Sequence, residues 1–196
     1  MGTSSQRFRH APKIIGGQFR QHKLTTPPGF ETRPTSLRAR ESLFSYIASK
    51  WSDIIPSRYV VDLFAGCGAI GLEALSRGAG FCLFGECRPA AIASISQNLE
   101  KLKIKHQAEI YKKNLLYADW PIIAEKAGLV FADPPYDFKS YTPFFKQLKR
   151  SRWLEQNSLV ILQYDPEQVP PIIPEWLLCH KQYNVGRNGF YVLTLK

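Results

Sequence analysis

The sequence lacks any apolar stretch long enough to cross a bilayer, and its first residues are polar and basic with no apolar signal-peptide core. Its four cysteines include no C-x-x-C pair, so neither a disulfide framework nor a thiol redox motif is indicated. The four histidines are scattered, and no His, Cys and Asp cluster has the spacing of metal ligands. These absences predict a reduced, cytoplasmic protein with no membrane partner and no metal.

Acidic residues are also scarce: 16 Asp and Glu stand against 26 Lys and Arg, which gives a net charge of +10. The excess is uneven, because residues 1–50 hold nine basic residues and only Glu31 and Glu41, a net charge of +7. A basic segment beside a nearly neutral remainder indicates a polyanionic partner, with nucleic acid ahead of membrane. The alternative is a solvated, partly disordered tail.

The chain alternates between short apolar runs and helical patterns. Residues 13–20 are typical of a strand that enters a tight Gly-Gly turn, with 20–24 returning beside it. After a proline-punctuated linker, a helix is predicted from an N-cap at Thr35 or Ser36 to about Lys50. Further strands are predicted at 59–64, 81–86, 107–113, 128–132 and 158–164, with helices between them at 69–77, 89–102, 119–126 and 139–150. This alternation predicts an α/β fold with a mainly parallel sheet, to which strands at 177–183 and 190–195 add an antiparallel hairpin.

The most informative motif is the tetrad Asp133-Pro134-Pro135-Tyr136, which ends the apolar run 128–132. An exocyclic base amine is a poor nucleophile, because its lone pair is delocalised into the ring. A carboxylate and a proline-fixed carbonyl that accept its hydrogens allow the nitrogen to pyramidalise. The prolines fix φ and offer no competing N–H, and an aromatic ring can stack on the base. The tetrad therefore predicts a methyltransferase site with these four residues as catalytic candidates, although a β-to-α loop with turn-forming prolines is the alternative.

A glycine-rich turn from Gly66 to Gly71 follows the apolar run 60–65 and predicts a nucleotide-like cofactor. Glu86 is expected at the end of the next strand, where its carboxylate can accept both ribose hydroxyls. Dehydrogenases use the same pattern for nicotinamide cofactors. Asp62 favours S-adenosylmethionine (AdoMet), because a carboxylate there would repel a pyrophosphate but suits a cationic sulfonium. The candidate cofactor-binding residues are Asp62, Phe64, Ala65, Gly66, Gly68, Gly71, Glu86, Cys87, Asn114 and Leu115.

With these residues assembled, the chain resembles the RsmD-type family of bacterial 16S ribosomal RNA (guanine(966)-N2)-methyltransferases. The likeness covers nearly the whole length, including residues 13–20 with Lys23 and Leu24, the segment Arg33-Pro34-Thr35-Ser36 and residues 62–79. It implies AdoMet-dependent methylation of a guanine N2 in 16S rRNA, within an assembling small subunit. It also implies a Rossmann-like seven-stranded sheet in residues 35–196, extended by a small N-terminal hairpin and helix, with residues 1–34 facing RNA. The candidate RNA contacts are Lys13, Arg20, Lys23, Arg33, Arg38 and Arg40.

Other functions stay open. A DNA adenine-N6 methyltransferase shares the tetrad, although only about 50 residues precede the core, few for a target-recognition region. A protein-glutamine methyltransferase would favour Asn in the first tetrad position. A non-catalytic RNA-binding module would need neither Glu86 nor Asp133. The residue types also leave open whether Asp133 takes a proton or only orients the amine.

Overall fold

The computed structural model describes residues 11–28, 35–135 and 138–196. Its strands are β1 (Tyr59–Leu63), β2 (Phe81–Gly85), β3 (Ala108–Tyr111), β4 (Ala127–Ala132), β5 (Leu159–Tyr164), β6 (Leu177–Val185) and β7 (Asn188–Leu195). Its helices are α1 (Leu37–Lys50), α2 (Ala69–Ser76), α3 (Pro89–Lys101) and α4 (Tyr141–Arg150), with a short 3-10 helix at Lys105–Gln107.

The seven strands form one sheet in the order β3-β2-β1-β4-β5-β7-β6. Strands β1 to β5 pair in parallel, while β7 lies antiparallel between β5 and β6. The five parallel strands therefore end at one edge of the sheet. The order reverses between β1 and β4, and in open α/β sheets ligands bind at such a reversal. The mainly parallel sheet with a terminal antiparallel hairpin is confirmed.

Four of the parallel strands, β1, β2, β4 and β5, are buried on both faces, which explains why they are apolar runs in the sequence, whereas the edge strand β3 is only partly buried. Val60 belongs to the core shared with α1, α2 and α3, whereas its neighbour Val61 belongs to the core shared with α4. Since successive strand residues point to opposite faces, each parallel strand supplies both cores. The sheet is thus held rigidly between two layers, and its carboxyl edge is a fixed platform.

Two predicted elements differ from the structure. Residues 119–126 form an irregular loop with a bend at 124–125 instead of a helix. The loop is held by Trp120, whose Nε1 donates to the carbonyl of Leu115 (2.8 Å) and whose ring stacks on Trp153 (centroids 4.7 Å apart). The N-terminal hairpin is reduced to a single antiparallel bridge between Lys13 and Lys23, closed by a turn.

In these three ranges, no helix is both long and apolar enough to cross a membrane. Within the same described residues, no group of three or more His, Cys, Asp or Glu side chains is placed to hold a metal ion. All four cysteines carry free thiols, with Cys67 and Cys82 buried and Cys87 and Cys179 exposed.

Candidate active site

The predicted acidic residues meet at the carboxyl edge of the sheet, around the reversal between β1 and β4. Asp62 lies near the end of β1, Glu86 follows β2 directly, and Asp133 follows β4 directly. Burial raises the pKa of Asp62 well above its ordinary range, and the charges of Asp133 and Glu86 raise it further, against a hydrogen bond from Gly71. Asp62 is therefore close enough to interact with both Asp133 and Glu86, and both halves of the predicted site come together.

The chain leaves β1 through a strained turn at Phe64. This residue has φ +60°, a conformation that L side chains rarely adopt. Its ring packs edge-on against Phe138 (centroids 5.5 Å apart), and the next N–H, of Ala65, donates to the carbonyl of Gly85 (3.1 Å). Gly66 follows with φ +58°, and no heavy atom lies within 4 Å of where its Cβ would stand. The glycine loop thus has open space beside its backbone.

Gly68 and Gly71 serve the helix that follows. Gly68 is the N-cap of α2 with φ +79°. A Cβ on Gly71 would stand 2.3 Å from the ring of Phe84, so α2 can approach β2 this closely only without a side chain there. Asp62 Oδ2 accepts the N–H of Gly71 (2.9 Å) and so pairs one of the donors that a helix start leaves unsatisfied. One oxygen of this predicted cofactor residue is therefore engaged with the protein.

Glu86 is the most heavily hydrogen-bonded carboxylate of the site. Its Oε2 accepts the N–H of Gly66 (2.9 Å), and its Oε1 accepts those of Cys87 (2.9 Å) and Arg88 (3.0 Å). The Arg88 guanidinium binds both oxygens, through Nε (3.0 Å) and Nη2 (2.9 Å). Burial works to raise the pKa of Glu86, but the Arg88 and Gly66 hydrogen bonds outweigh it, and the pKa is lowered. The carboxylate is thus charged at neutral pH, and Arg88 stands where ribose hydroxyls are expected.

Asn114 and Leu115, which follow β3, and Cys87, which follows Glu86, lie at the same edge. Asn114 is exposed, and its Oδ1 accepts the N–H of Leu116 (2.9 Å) in a local turn. Leu115 is buried, and a Cβ on Gly85 would stand 3.1 Å from its Cδ2. The part of these three residues in cofactor binding stays a prediction.

Asp133 opens the tetrad directly beside the glycine loop. Its N–H donates to the carbonyl of Leu63 (3.2 Å), which extends the pairing of β4 with β1. Pro134 is buried, and the carbonyl of Pro135 accepts the N–H of Phe138 (2.9 Å). Burial raises the pKa of Asp133 to about 7, against a hydrogen bond from the Thr35 hydroxyl. Tyr136 lies outside the described residues, so its predicted stacking is not placed.

A concavity opens beside this carboxyl group, between the tetrad, α4, the end of β5 and the β6–β7 turn. Its walls combine tyrosine rings with hydrogen-bonding groups, a mixture that suits a flat polar ring. The lining residues are Asp133, Pro134, Pro135, Tyr141, Gln163, Tyr164, Asp165 and Arg187. The sequence interpretation missed the last five. Gln163 carried a usable signal, because it is a polar residue directly after the apolar run 159–162, as Asp133 is after the run 128–132.

The N-terminal arm, here residues 11–28, packs against the helix that follows the glycine loop. Ile14 and Leu24 are buried in the main core. Glu73 of α2 is fully buried, and its carboxylate accepts the N–H groups of Ile15 (2.7 Å) and Gly16 (2.9 Å). Arg77 completes this anchor, with its Nε 2.7 Å from Glu73 Oε1.

A second anchor ties the arm to the glycine loop itself. Asn98 of α3 accepts the N–H of Thr25 with Oδ1 (2.7 Å). Its Nδ2 donates both to the carbonyl of Thr25 (3.0 Å) and to that of Cys67 (3.1 Å). A single buried amide therefore fixes the position of the arm relative to the cofactor side of the site.

The side chains predicted to bind RNA differ in their exposure to solvent. Arg20, Lys23 and Arg38 are exposed, and Lys13 is half-buried with its Nζ 2.8 Å from Gln21 Oε1. Arg33 lies outside the described residues.

Arg40 differs from the prediction. It is 1% exposed, and its Nη1 donates to the carbonyl of Lys13 (3.1 Å). Burial lowers the pKa of Arg40, although the nearby Glu73 acts in the opposite direction. The residue joins α1 to the arm from inside the protein, so its guanidinium is not offered to RNA.

The chain matches the model of the family described as conserved hypothetical protein 95 over residues 12–194. Ribosomal RNA small subunit methyltransferase D of Escherichia coli K12 is 32% identical over 181 residues, which are 91% of this chain and 87% of that protein. Its counterpart of the same name in Haemophilus influenzae is 32% identical over 169 residues, 85% of each chain. Among solved structures, the Escherichia coli protein yhhF has a TM-score of 0.78 at 30% identity and covers 94% of this chain and 98% of its own. A hypothetical protein of Thermus thermophilus has a TM-score of 0.73 at 26% identity, with 94% and 100% coverage.

Proposed function

This chain belongs to the conserved hypothetical protein 95 family, that of the RsmD-type methyltransferases, and from that premise we propose that it methylates the exocyclic N2 amine of a guanine in 16S rRNA. AdoMet is the methyl donor, and guanine 966 is the expected target. The observation that carries the proposal is the meeting of Asp133 and Pro134 with the glycine loop and Glu86 at one strand reversal. A planar amine and a donor cofactor need these two sets of groups within reach of each other.

The residues at the reversal fit AdoMet. The loop at Gly66 has open space beside it, and the charged carboxylate of Glu86 faces the same loop through the Gly66 N–H. Glu86 would hold the ribose hydroxyls once the Arg88 guanidinium rotates away, while Asn114 and Leu115 would border the adenine. AdoMet supplies an electrophilic methyl group when bound.

The chemistry left to the protein is positioning and proton acceptance. The N2 amine of guanine needs two acceptors for its hydrogens, and the Asp133 carboxylate and the Pro134 carbonyl supply them. The nitrogen gains the methyl group of AdoMet and loses one proton, and we expect Asp133 to accept that proton. A fixed near-attack arrangement of reactants can lower a barrier by roughly 7–11 kcal/mol, so positioning can outweigh proton transfer.

The basic arm supplies the contact with RNA. Arg20, Lys23 and Arg38 are exposed, and the backbone that carries the first two is anchored on α2 and α3. We expect RNA bound there to reach the concavity at Asp133, into which an unstacked guanine can enter. We expect the substrate to be 16S rRNA in an assembling small subunit, in the cytoplasm.

The proposal is tested by methyl transfer from tritiated AdoMet to three acceptors: free 16S rRNA, small-subunit particles from a strain without the gene, and DNA. Mass spectrometry then locates the modified base. We expect N2-methylguanine in the particles, its loss in Asp133→Ala, and AdoMet binding by that variant within a few fold of wild type by calorimetry. Transfer to DNA adenine, or none to any acceptor by protein that binds AdoMet, would overturn it.

A further inference from the structure

We propose that Thr35 and Gln163 are positioning residues for the Asp133 carboxyl, joined to it by hydrogen bonds that run from Gln163 through Thr35 to Asp133. These hydrogen bonds hold the oxygen that accepts the target amine. This inference rests on the proposed function, since that function gives Asp133 its role.

The geometry is that of one hydroxyl between two acceptor groups. Thr35 Oγ1 lies 3.0 Å from Gln163 Oε1 and 3.3 Å from Asp133 Oδ2. Thr35 is 8% exposed and Gln163 is 4% exposed, so water competes little for these bonds. The three residues come from the segment before α1, the end of β4 and the end of β5. These hydrogen bonds therefore hold the Asp133 carboxyl group from the side away from β1.

Thr35 is not needed for the start of α1. The N-cap of that helix is Ser36, whose Oγ accepts the N–H of Ala39 (3.1 Å). Of the two N-cap candidates in the sequence, Ser36 thus serves the helix, and the Thr35 hydroxyl faces the catalytic carboxyl. The residue that ends the linker between the arm and α1 belongs to the active site.

The hydrogen bonds among these three side chains can form whether Asp133 is protonated or ionised. A threonine hydroxyl carries one proton and can also accept, and a glutamine amide offers either an oxygen or an NH2 group. When Asp133 is protonated, it can donate to Thr35, which then donates to Gln163 Oε1 as oriented in the structure. When Asp133 is ionised, Thr35 donates to the carboxylate, and a turned amide of Gln163 donates to Thr35. A buried polar group without a hydrogen-bond partner would cost stability. In both protonation states, each of these three side chains has a partner within the set.

Other titratable groups also face this carboxyl. Asp62 lies beside it in β1, Tyr141 faces it from α4, and Asp165 and Arg187 line the same concavity. Burial and the charge of Asp133 raise the pKa of Tyr141 to about 12, so that hydroxyl stays protonated. A hydrogen bond from Thr35 opposes the effect of burial on Asp133. Removing the hydroxyl should therefore raise the pKa of Asp133.

The test compares Thr35→Val, which keeps the shape and removes the hydroxyl, with Thr35→Ser, which keeps the hydroxyl. Ser36→Ala is the matched control, because it removes the neighbouring cap. Rates of guanine N2 methylation are measured from pH 5.5 to 9.5, together with KM for RNA and AdoMet binding. We expect Thr35→Val to lower kcat about 10-fold near pH 7 and to move the acidic limb of the profile to higher pH, with AdoMet binding unchanged. Gln163→Leu should act in the same direction, and Thr35→Ser should retain the wild-type limb.

An unshifted limb in Thr35→Val would overturn the inference, and so would equal losses in all three variants at positions 35 and 36. The titration of Asp133 itself, followed by carbon-13 NMR of labelled aspartate, needs no RNA. This titration therefore tests the hydrogen bonds among Gln163, Thr35 and Asp133 even if wild-type protein methylates no guanine. A failure to methylate guanine would count against the proposed function alone. A lower Asp133 pKa in wild type than in Thr35→Val supports these hydrogen bonds, and equal values refute them.

Discussion

Replacing Asp133 by Asn should abolish turnover and yet make the protein more stable at alkaline pH. Burial raises the pKa of Asp133 to about 7, from an ordinary value of 3.8. The unfolded chain releases this proton near pH 4, whereas the folded protein keeps it until about pH 7. Since the folded state binds the extra proton in that interval, stability falls as pH rises through it, and the loss is complete above pH 7. Asn carries no charge and avoids this loss while keeping an acceptor for Thr35.

The size of the effect follows from the shift. About three pKa units at roughly 1.36 kcal/mol each set an upper bound of about 4 kcal/mol. Local relaxation and water entry reduce such penalties, so a gain of about 1–4 kcal/mol is expected at pH 8. For a chain of this length, that gain corresponds to a rise of roughly 2–16 °C in Tm. At pH 5 less than half of it should remain, because the folded carboxyl is then protonated.

The assay is thermal unfolding by circular dichroism at pH 5 and pH 8, on wild type, Asp133→Asn and the exposed-site control Asp119→Asn. Only Asp133→Asn should show a gain that grows with pH. AdoMet binding by this variant should stay within a few fold of wild type, which shows that the fold is intact. A variant no more stable than wild type at pH 8, or a gain equal at both pH values, would refute the reasoning from burial.

Other expectations concern the packing around the site and the arm. Gly71→Ala should lower the free energy of unfolding by about 1–3 kcal/mol, seen as a lower Tm, because its methyl group would stand 2.3 Å from the Phe84 ring. Glu86→Ala should weaken AdoMet binding in calorimetry by about 10–100-fold, since charged hydrogen bonds contribute roughly 1.5–3 kcal/mol each; unchanged affinity would exclude it from the ribose site. RNA affinity should fall by nearly two orders of magnitude between 50 and 200 mM salt if the arm makes three or four phosphate contacts, and Arg20→Gln should reduce the slope by about one.

The sheet and its acidic residues could be predicted because the relevant signals are local. A parallel strand buried on both faces is a continuous apolar run, and a polar residue directly after such a run lies at the carboxyl edge. Asp133 and Glu86 follow this rule. Gln163 follows it as well, and the same reasoning could have placed it in the site.

The errors come from contacts between distant parts of the chain. The Trp120 loop depends on stacking with Trp153, which no periodic pattern in 119–126 reveals. The burial of Arg40 could have been predicted from the sequence, since this residue occupies the first position of the apolar stripe that continues with Leu43, Phe44 and Ile47. A charged residue on a buried stripe indicates an internal partner, here the carbonyl of Lys13.

The contacts between the N-terminal arm and the core determine how RNA binding by the arm can be tested. Removing residues 1–34 would delete Ile14 and Leu24 from the core and leave the buried carboxylate of Glu73 without two of its donors. Because the buried Glu73 carboxylate would keep Arg77 but lose two of its hydrogen bonds, a truncated protein would lose stability whether or not the arm touches RNA. Charge removal at the exposed Arg20, Lys23 and Arg38 keeps these anchors, so it separates RNA binding from folding. If the triple glutamine variant keeps its Tm and AdoMet affinity but loses RNA affinity and salt dependence, the arm binds RNA; unchanged RNA affinity would place the RNA surface elsewhere.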